Sequence, residues 1–195
     1  MEAVGYDLYC KMLHEAVKEA RGEAPAEQFE TSVDIRTDAF IPSTYIANES
    51  QKLDMYKRIA GIETDEEAEE MLEELIDRFG DIPRKVQQLL NIAGLKALAH
   101  SAYVTAVEQK GDAYQFTMYE KAKVHPERIP KLIEDFRGEL TFKADGAQPC
   151  FIYEKKRRNL KEKQTDALEI TKNVLNGLKG LIGGEKSGII DPLSK

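Results

Sequence analysis

Between positions 29 and 100 the spacing of apolar residues changes from a strand period to a helix period. Phe29–Asp38 alternates, with Thr31, Val33, Ile35 and Thr37 on one face and Ser32, Asp34 and Arg36 on the other. That period of two predicts a half-buried strand, broken by Phe40-Ile41-Pro42. From Asn48 onward the period is helical. A first helix is predicted over 48–61, with Asn48 as cap and Leu53, Tyr56 and Ile59/Ala60 on the apolar face. A second is predicted over 65–79. Thr64 and Glu67 form a capping box, Ala68, Met71, Leu72, Leu75, Ile76 and Phe79 make the buried stripe, and Gly80 ends it. A third opens with Pro83 as its first helical residue and runs to about His100. Its apolar residues, among them Val86, Leu89, Leu90, Ile92 and Leu95, cover more than one face, which predicts a central helix.

Beyond His100 the pattern shortens. Tyr103–Glu108 and Tyr114–Tyr119 read as strands around the Lys110-Gly111-Asp112 turn. Pro126 to about Phe136 reads as a short helix, kinked at Pro130, with Ile129, Leu132, Ile133 and Phe136 inward and Gly138 after it. Glu139–Lys143 and Cys150–Tyr153 form a second strand pair joined through Asp145-Gly146. Leu168, Thr171, Leu175, Leu178 and Ile182 set a long helix over about 158–182. Residues 3–21 also carry a helical pattern, stopped at Gly22 and followed by the linker-like Gly22–Gln28. The expected fold is α+β: a helical cluster beside a small sheet containing antiparallel pairs, with a long C-terminal helix. The expected division is 1–28 as helix and linker from a preceding domain, 29–183 as the α+β domain, and 184–195 as a flexible tail.

Composition narrows the function. The chain has 195 residues, a net charge of -7 and a pI near 5.2. Phosphate contacts need Lys and Arg, so this balance disfavours a free-standing DNA-binding domain and suits a basic protein partner. No apolar run approaches a membrane span, no signal peptide is visible, and the two cysteines, Cys10 and Cys150, suggest no disulfide framework. The expectation is a cytoplasmic protein without membrane contact.

Motifs for chemistry are missing. There is no phosphate-binding glycine loop and no nucleophile elbow. His14, His100 and His125 stand apart, so no metal site is expected. Cys150 precedes Phe151 and Ile152 and is expected to be a buried, inert thiol. The reading is therefore not an enzyme, with no catalytic residue and no cofactor. Lys155-Lys156-Arg157-Arg158 is the dense basic run; it fits a solvated strand-to-helix junction or, as the alternative function, a nucleic-acid-binding accessory module.

The helix over 65–79 is more informative. Glu67, Glu70, Glu74 and Asp77 follow at i, i+3, i+7 and i+10, and Arg78 borders the apolar stripe. The carboxylates are either an ordinary solvated face or a docking stripe for arginines, whose guanidinium fork a carboxylate accepts in two parallel hydrogen bonds.

The string Glu74-Leu75-Ile76-Asp77-Arg78-Phe79-Gly80 followed by Asp81-Ile82-Pro83 resembles the signature of the C-terminal domain of bacterial transcription-repair coupling factors, the Mfd family. Leu53–Ala60 resembles the family's tyrosine-containing helix, Val33–Pro42 its first strand, and Val4–Tyr9 the segment leaving its motor domain. Ser43, Thr44, Ala47 and Gly94 depart from the family pattern. The resemblance implies a regulatory latch within a DNA-repair translocase driven by ATP. The latch docks on an N-terminal UvrB-like module, masks the surface that binds UvrA and restrains a motor acting on stalled RNA polymerase and DNA. By position it assigns the contact to Glu74 and Asp77, with Arg78 beside them.

Overall fold

In the computed structural model, residues 29–144, 148–155 and 166–182 are described, and the unit of interest begins at Thr31. The elements are β1 (Ser32–Asp34), α1 (Glu49–Ala60), α2 (Asp65–Phe79), α3 (Arg84–Ser101), β2 (Val104–Lys110), β3 (Ala113–Met118), α4 (Ile129–Asp135), β4 (Leu140–Lys143), β5 (Cys150–Glu154) and α5 (Ala167–Lys179). The class is α+β, as the sequence pattern implies. A five-stranded mixed sheet has the order β1-β2-β3-β5-β4. β1 runs parallel to β2, and the other pairs are antiparallel. The parallel step is possible because the three helices α1–α3 form the crossover between β1 and β2.

Two apolar clusters share α3. Ile41, Ile46, Met55, Ile59, Met71, Leu75, Val86 and Leu90 close the helical cluster. Leu95 and Ala99, further along α3, join Val107, Phe116, Phe151, Val174 and Leu175 beneath the sheet. A helix serving both cores must be apolar on more than one side, which is why α3 carries the broad pattern seen in the sequence.

The alternation at 31–37 holds: Thr31 and Ile35 are buried, and Ser32, Asp34 and Arg36 are exposed. Only Ser32–Asp34 pairs as a strand, because the register with β2 covers Ala106–Glu108 alone. α1 departs from the expected face. Met55 and Ile59, four apart, are buried at 0% and 2%, whereas Leu53 is 56% exposed and Ala60 is exposed. Leu53 lies about 160° round the helix from Met55, so both cannot face the core. In α2, Ile76 is 47% exposed for the same reason, since Met71 and Leu75 set the inward direction.

Pro83 is the N-cap of α3, not its first helical residue; its ψ of 147° is extended. The stretch 126–136 divides into a 3-10 turn at Pro126–Arg128 and α4, and Pro130 falls in the first turn of α4, where its missing N–H displaces no helical hydrogen bond. The C-terminal helix is 13 residues long and starts at Ala167, where the Asp166 side chain accepts from the Leu168 backbone N–H. Asp166 has extended backbone angles, so the helix expected from 158 does not run through it; residues 158–165 lie outside the described residues. So do the expected helix at 3–21, the 22–28 linker, the Asp145-Gly146 turn and the 184–195 tail. Cys150 is half-buried rather than in the core. Phe151 and Tyr153 take the inward positions of β5, and strand alternation turns Cys150 to the other face beside Thr117 and Lys143.

Candidate functional site

α2 carries eight acidic residues against one arginine, and its sequence explains how it stays helical. Thr64 Oγ1 accepts from the Glu67 N–H at 3.1 Å. The Glu67 carboxylate reaches back to the N–H groups of Glu63 at 2.7 Å and Thr64 at 3.3 Å. This capping box satisfies donors that the helix leaves open, and the negative charge suits the positive end of the helix dipole. Glu67 therefore belongs to the helix start.

Glu74 is also engaged within the domain. Arg58 of α1 donates from Nη1 to Glu74 Oε1 at 2.6 Å and from Nη2 to Oε2. Arg78, one turn further along α2, donates to Oε1 at 2.8 Å. The hydrogen bonds from Arg58, then the one from Arg78, lower the Glu74 pKa to about 2. The same contact raises the Arg58 pKa. Arg78 in turn lies over the Phe79 ring, 5.1 Å from its centroid. Phe79 packs against Tyr45 at 5.8 Å, and the Tyr45 hydroxyl donates to the carbonyls of Leu75 and Gly80 at 2.9 and 3.2 Å. Gly80 takes φ 83°, the left-handed region that glycine enters without a side-chain penalty. The helix end is thus tied by an aromatic anchor, and Arg58 and Arg78 converge on one carboxylate.

Glu70 and Asp77 are exposed and pair with no described residue. Glu66 and Glu73, which the i, i+3 spacing does not pick out, share their side of the helix: positions 66, 70, 73 and 77 are spaced by 4, 3 and 4 and all are exposed. Opposite them lie buried Met71 and Leu75. Of the five residues singled out from sequence, the fold leaves Glu70 and Asp77 on the outward stripe, holds Glu74 and Arg78 in the ion-pair cluster at its flank, and uses Glu67 as a cap. The i, i+4 spacing of Glu66 and Glu70 is the signal in the sequence that marks this stripe.

Of the basic run, Lys155 is partly buried just after β5, and 156–158 lie outside the described residues. Among the described residues, no group of three or more His, Cys, Asp or Glu is placed to hold a metal ion, and no helix is long and apolar enough to cross a membrane.

A family profile described as TRCF domain matches residues 35–129. The transcription-repair-coupling factor of Bacillus subtilis (strain 168) is 36% identical over 192 residues, which cover 97% of this chain and 16% of that protein. The protein of the same name from Staphylococcus aureus (strain USA300) is 38% identical over 146 residues, covering 74% of this chain and 12% of the relative. The chain thus spans only a small part of the curated relatives it matches. A solved structure, the crystal structure of the C-terminal domain of transcription-repair coupling factor, shares the fold with a TM-score of 0.61 at 24% identity, covering 79% of this chain and 94% of that one. This chain belongs to the transcription-repair-coupling factor family and carries its TRCF domain.

Proposed function

We propose that this domain is the regulatory latch of a transcription-coupled repair translocase, working in the bacterial cytoplasm. It docks through the outward stripe of α2 on a UvrB-like module of the same protein, covers the surface that binds UvrA and restrains the motor. The observation that carries this reading is the stripe itself. Glu66, Glu70, Glu73 and Asp77 point away from the core and have no cationic partner among the described residues. Like charges at this spacing oppose one another by a few tenths of a kcal/mol per pair, about 0.2–0.5. Arginines on a partner would relieve that repulsion and read the carboxylates in a defined orientation.

The physical character of the surface suits a contact that must open. Its exposed carboxylates give a polar, salt-sensitive interface, and polar interfaces between domains of one protein are compatible with relative motion. A tether between the two modules would keep such a contact closed even when the separate pieces bind weakly. The Arg58–Glu74–Arg78 cluster has a formal charge of +1 and borders the stripe, so the docking face offers both signs and specifies orientation.

The test is the ATPase rate of a full-length coupling factor carrying this domain, with Glu70→Arg and Asp77→Arg introduced together. A faster basal rate with normal folding supports a restraint exerted through α2. A rate equal to wild type removes the latch reading.

A further inference from the structure

A second surface lies away from the α2 stripe, at the seam between the two cores. A cleft of about 230 Å³ opens between β1, α1 and α3, walled by Val33, Tyr56, Ala60, Leu89 and Ile92, with Lys96 at one side. Val33 and Ile92 pack partly into the sheet core, and Tyr56 and Leu89 into the helical core. The Tyr56 hydroxyl oxygen accepts the Ile41 N–H at 2.8 Å. Leu53, one turn before Tyr56 on α1, extends the apolar surface outward and is 56% exposed, the largest exposure of the large apolar residues described.

Two lysines stand at this surface. Lys96 is exposed and pairs with no described residue, and neither does Lys57, one turn beyond Leu53. Glu49, on the preceding turn of α1, is neutralised by Lys52 at 2.7 Å. The charged residue that lines the cleft itself is thus a lysine, in a chain of net charge -7.

We infer that this cleft receives an amphipathic helix of another polypeptide, one with an apolar ridge bordered by carboxylates. Two walls of the cleft are themselves helices, and a third helix can lay apolar side chains spaced i, i+3/i+4, i+7 between them. The lysines then select acidic over basic helices. A membrane surface is the poorer match, since a recessed cleft takes an inserted ridge of side chains and a planar bilayer presents none.

The probe is a designed, alanine-based helical peptide of about fifteen residues with leucines at that spacing and glutamates on both flanks. Its control carries lysine in place of each glutamate. Both are titrated into the whole 195-residue chain, with fluorescence anisotropy for affinity and backbone amide shifts for location. The expected result is preference for the glutamate peptide by roughly tenfold, with shifts at Val33, Leu89 and Ile92. Lys96→Glu reverses the preference, and Leu53→Ser weakens both peptides. Leu53 is exposed, so its loss leaves the fold intact. Equal affinity for the two peptides, shifts confined to other surfaces, or self-association of the chain that Leu53→Ser abolishes would overturn the inference, the last by making a second copy the occupant.

Discussion

Arg58 of α1 grips Glu74 of α2 with both terminal nitrogens of its guanidinium, and Arg78 adds a third hydrogen bond to the same carboxylate. The relationship fixes two helices against each other at the surface. It also separates the residues of α2 that serve the fold from those that remain for a partner.

Stability should register this contact. The side chains are 41% exposed for Arg58 and 30% for Glu74, so solvent screens much of the attraction. Arg58→Met or Glu74→Gln is expected to cost about 1 kcal/mol, with the double variant costing little more than either single one because both remove the same contact. Chemical denaturation of the four proteins checks it.

The same contact sets a pH dependence. The folded pKa of Glu74, about 2, lies below its ordinary value of 4.5. Its contribution is therefore fully present above about pH 4.5 and is lost as pH falls toward 2. Glu74→Gln should have a shallower loss of stability than wild type across that window, and the two should run parallel above it. Thermal melts at a series of acidic pH values provide the comparison.

Glu67 and Asp77 should behave oppositely. Thr64→Ala removes the cap and is expected to destabilise the domain by about 1 kcal/mol, and Glu67→Ala by a smaller amount, without altering the outward stripe. Asp77→Arg should leave the melting temperature within about a degree of wild type, since an exposed substitution changes stability by at most about 0.5 kcal/mol. Melting temperatures of the three variants distinguish the cap from the stripe.

Two glycines inside helices make a further contrast. A methyl group added at Gly94 in α3 would meet nothing within 4 Å. Gly94→Ala should therefore raise stability by about 0.5–1 kcal/mol through helix propensity and a less flexible unfolded chain. At Gly177 in α5 the same methyl would stand 2.7 Å from Leu132 Cδ1 and 3.1 Å from Phe136 Cε2. Leu132 is itself buried, so Gly177→Ala should lose its propensity gain to repacking and come out neutral or destabilised by about 1–2 kcal/mol. Denaturant midpoints of the two variants test the difference in sign.

These residues also show what the chain discloses without its fold. The limits of the helix 65–79 are legible in the sequence, because the capping box, the apolar stripe and Gly80 all agree on them. The Gly111-Asp112 turn was equally plain, with Gly111 at φ 67° between β2 and β3. Faces were harder. Leu53 and Met55 are both apolar, and choosing between them needs knowledge of which side of α1 meets α3. The limits of β1 depend on a partner strand more than 70 residues away. The site shows the same limit. Sequence placed Glu74 among the carboxylates available for docking, because Arg58 lies on another helix and no local spacing reveals that it reaches across. Asp77 needed no such knowledge, because its outward direction follows from helical period alone.

The most direct measurement is a calorimetric titration of this chain with a separately produced UvrB-like module, for wild type and for the Glu70→Arg, Asp77→Arg double variant. The account predicts salt-sensitive binding by wild type and a loss of roughly tenfold or more in the variant, with melting temperatures unchanged. Equal affinity of the two proteins for the module would contradict docking through the outward face of α2.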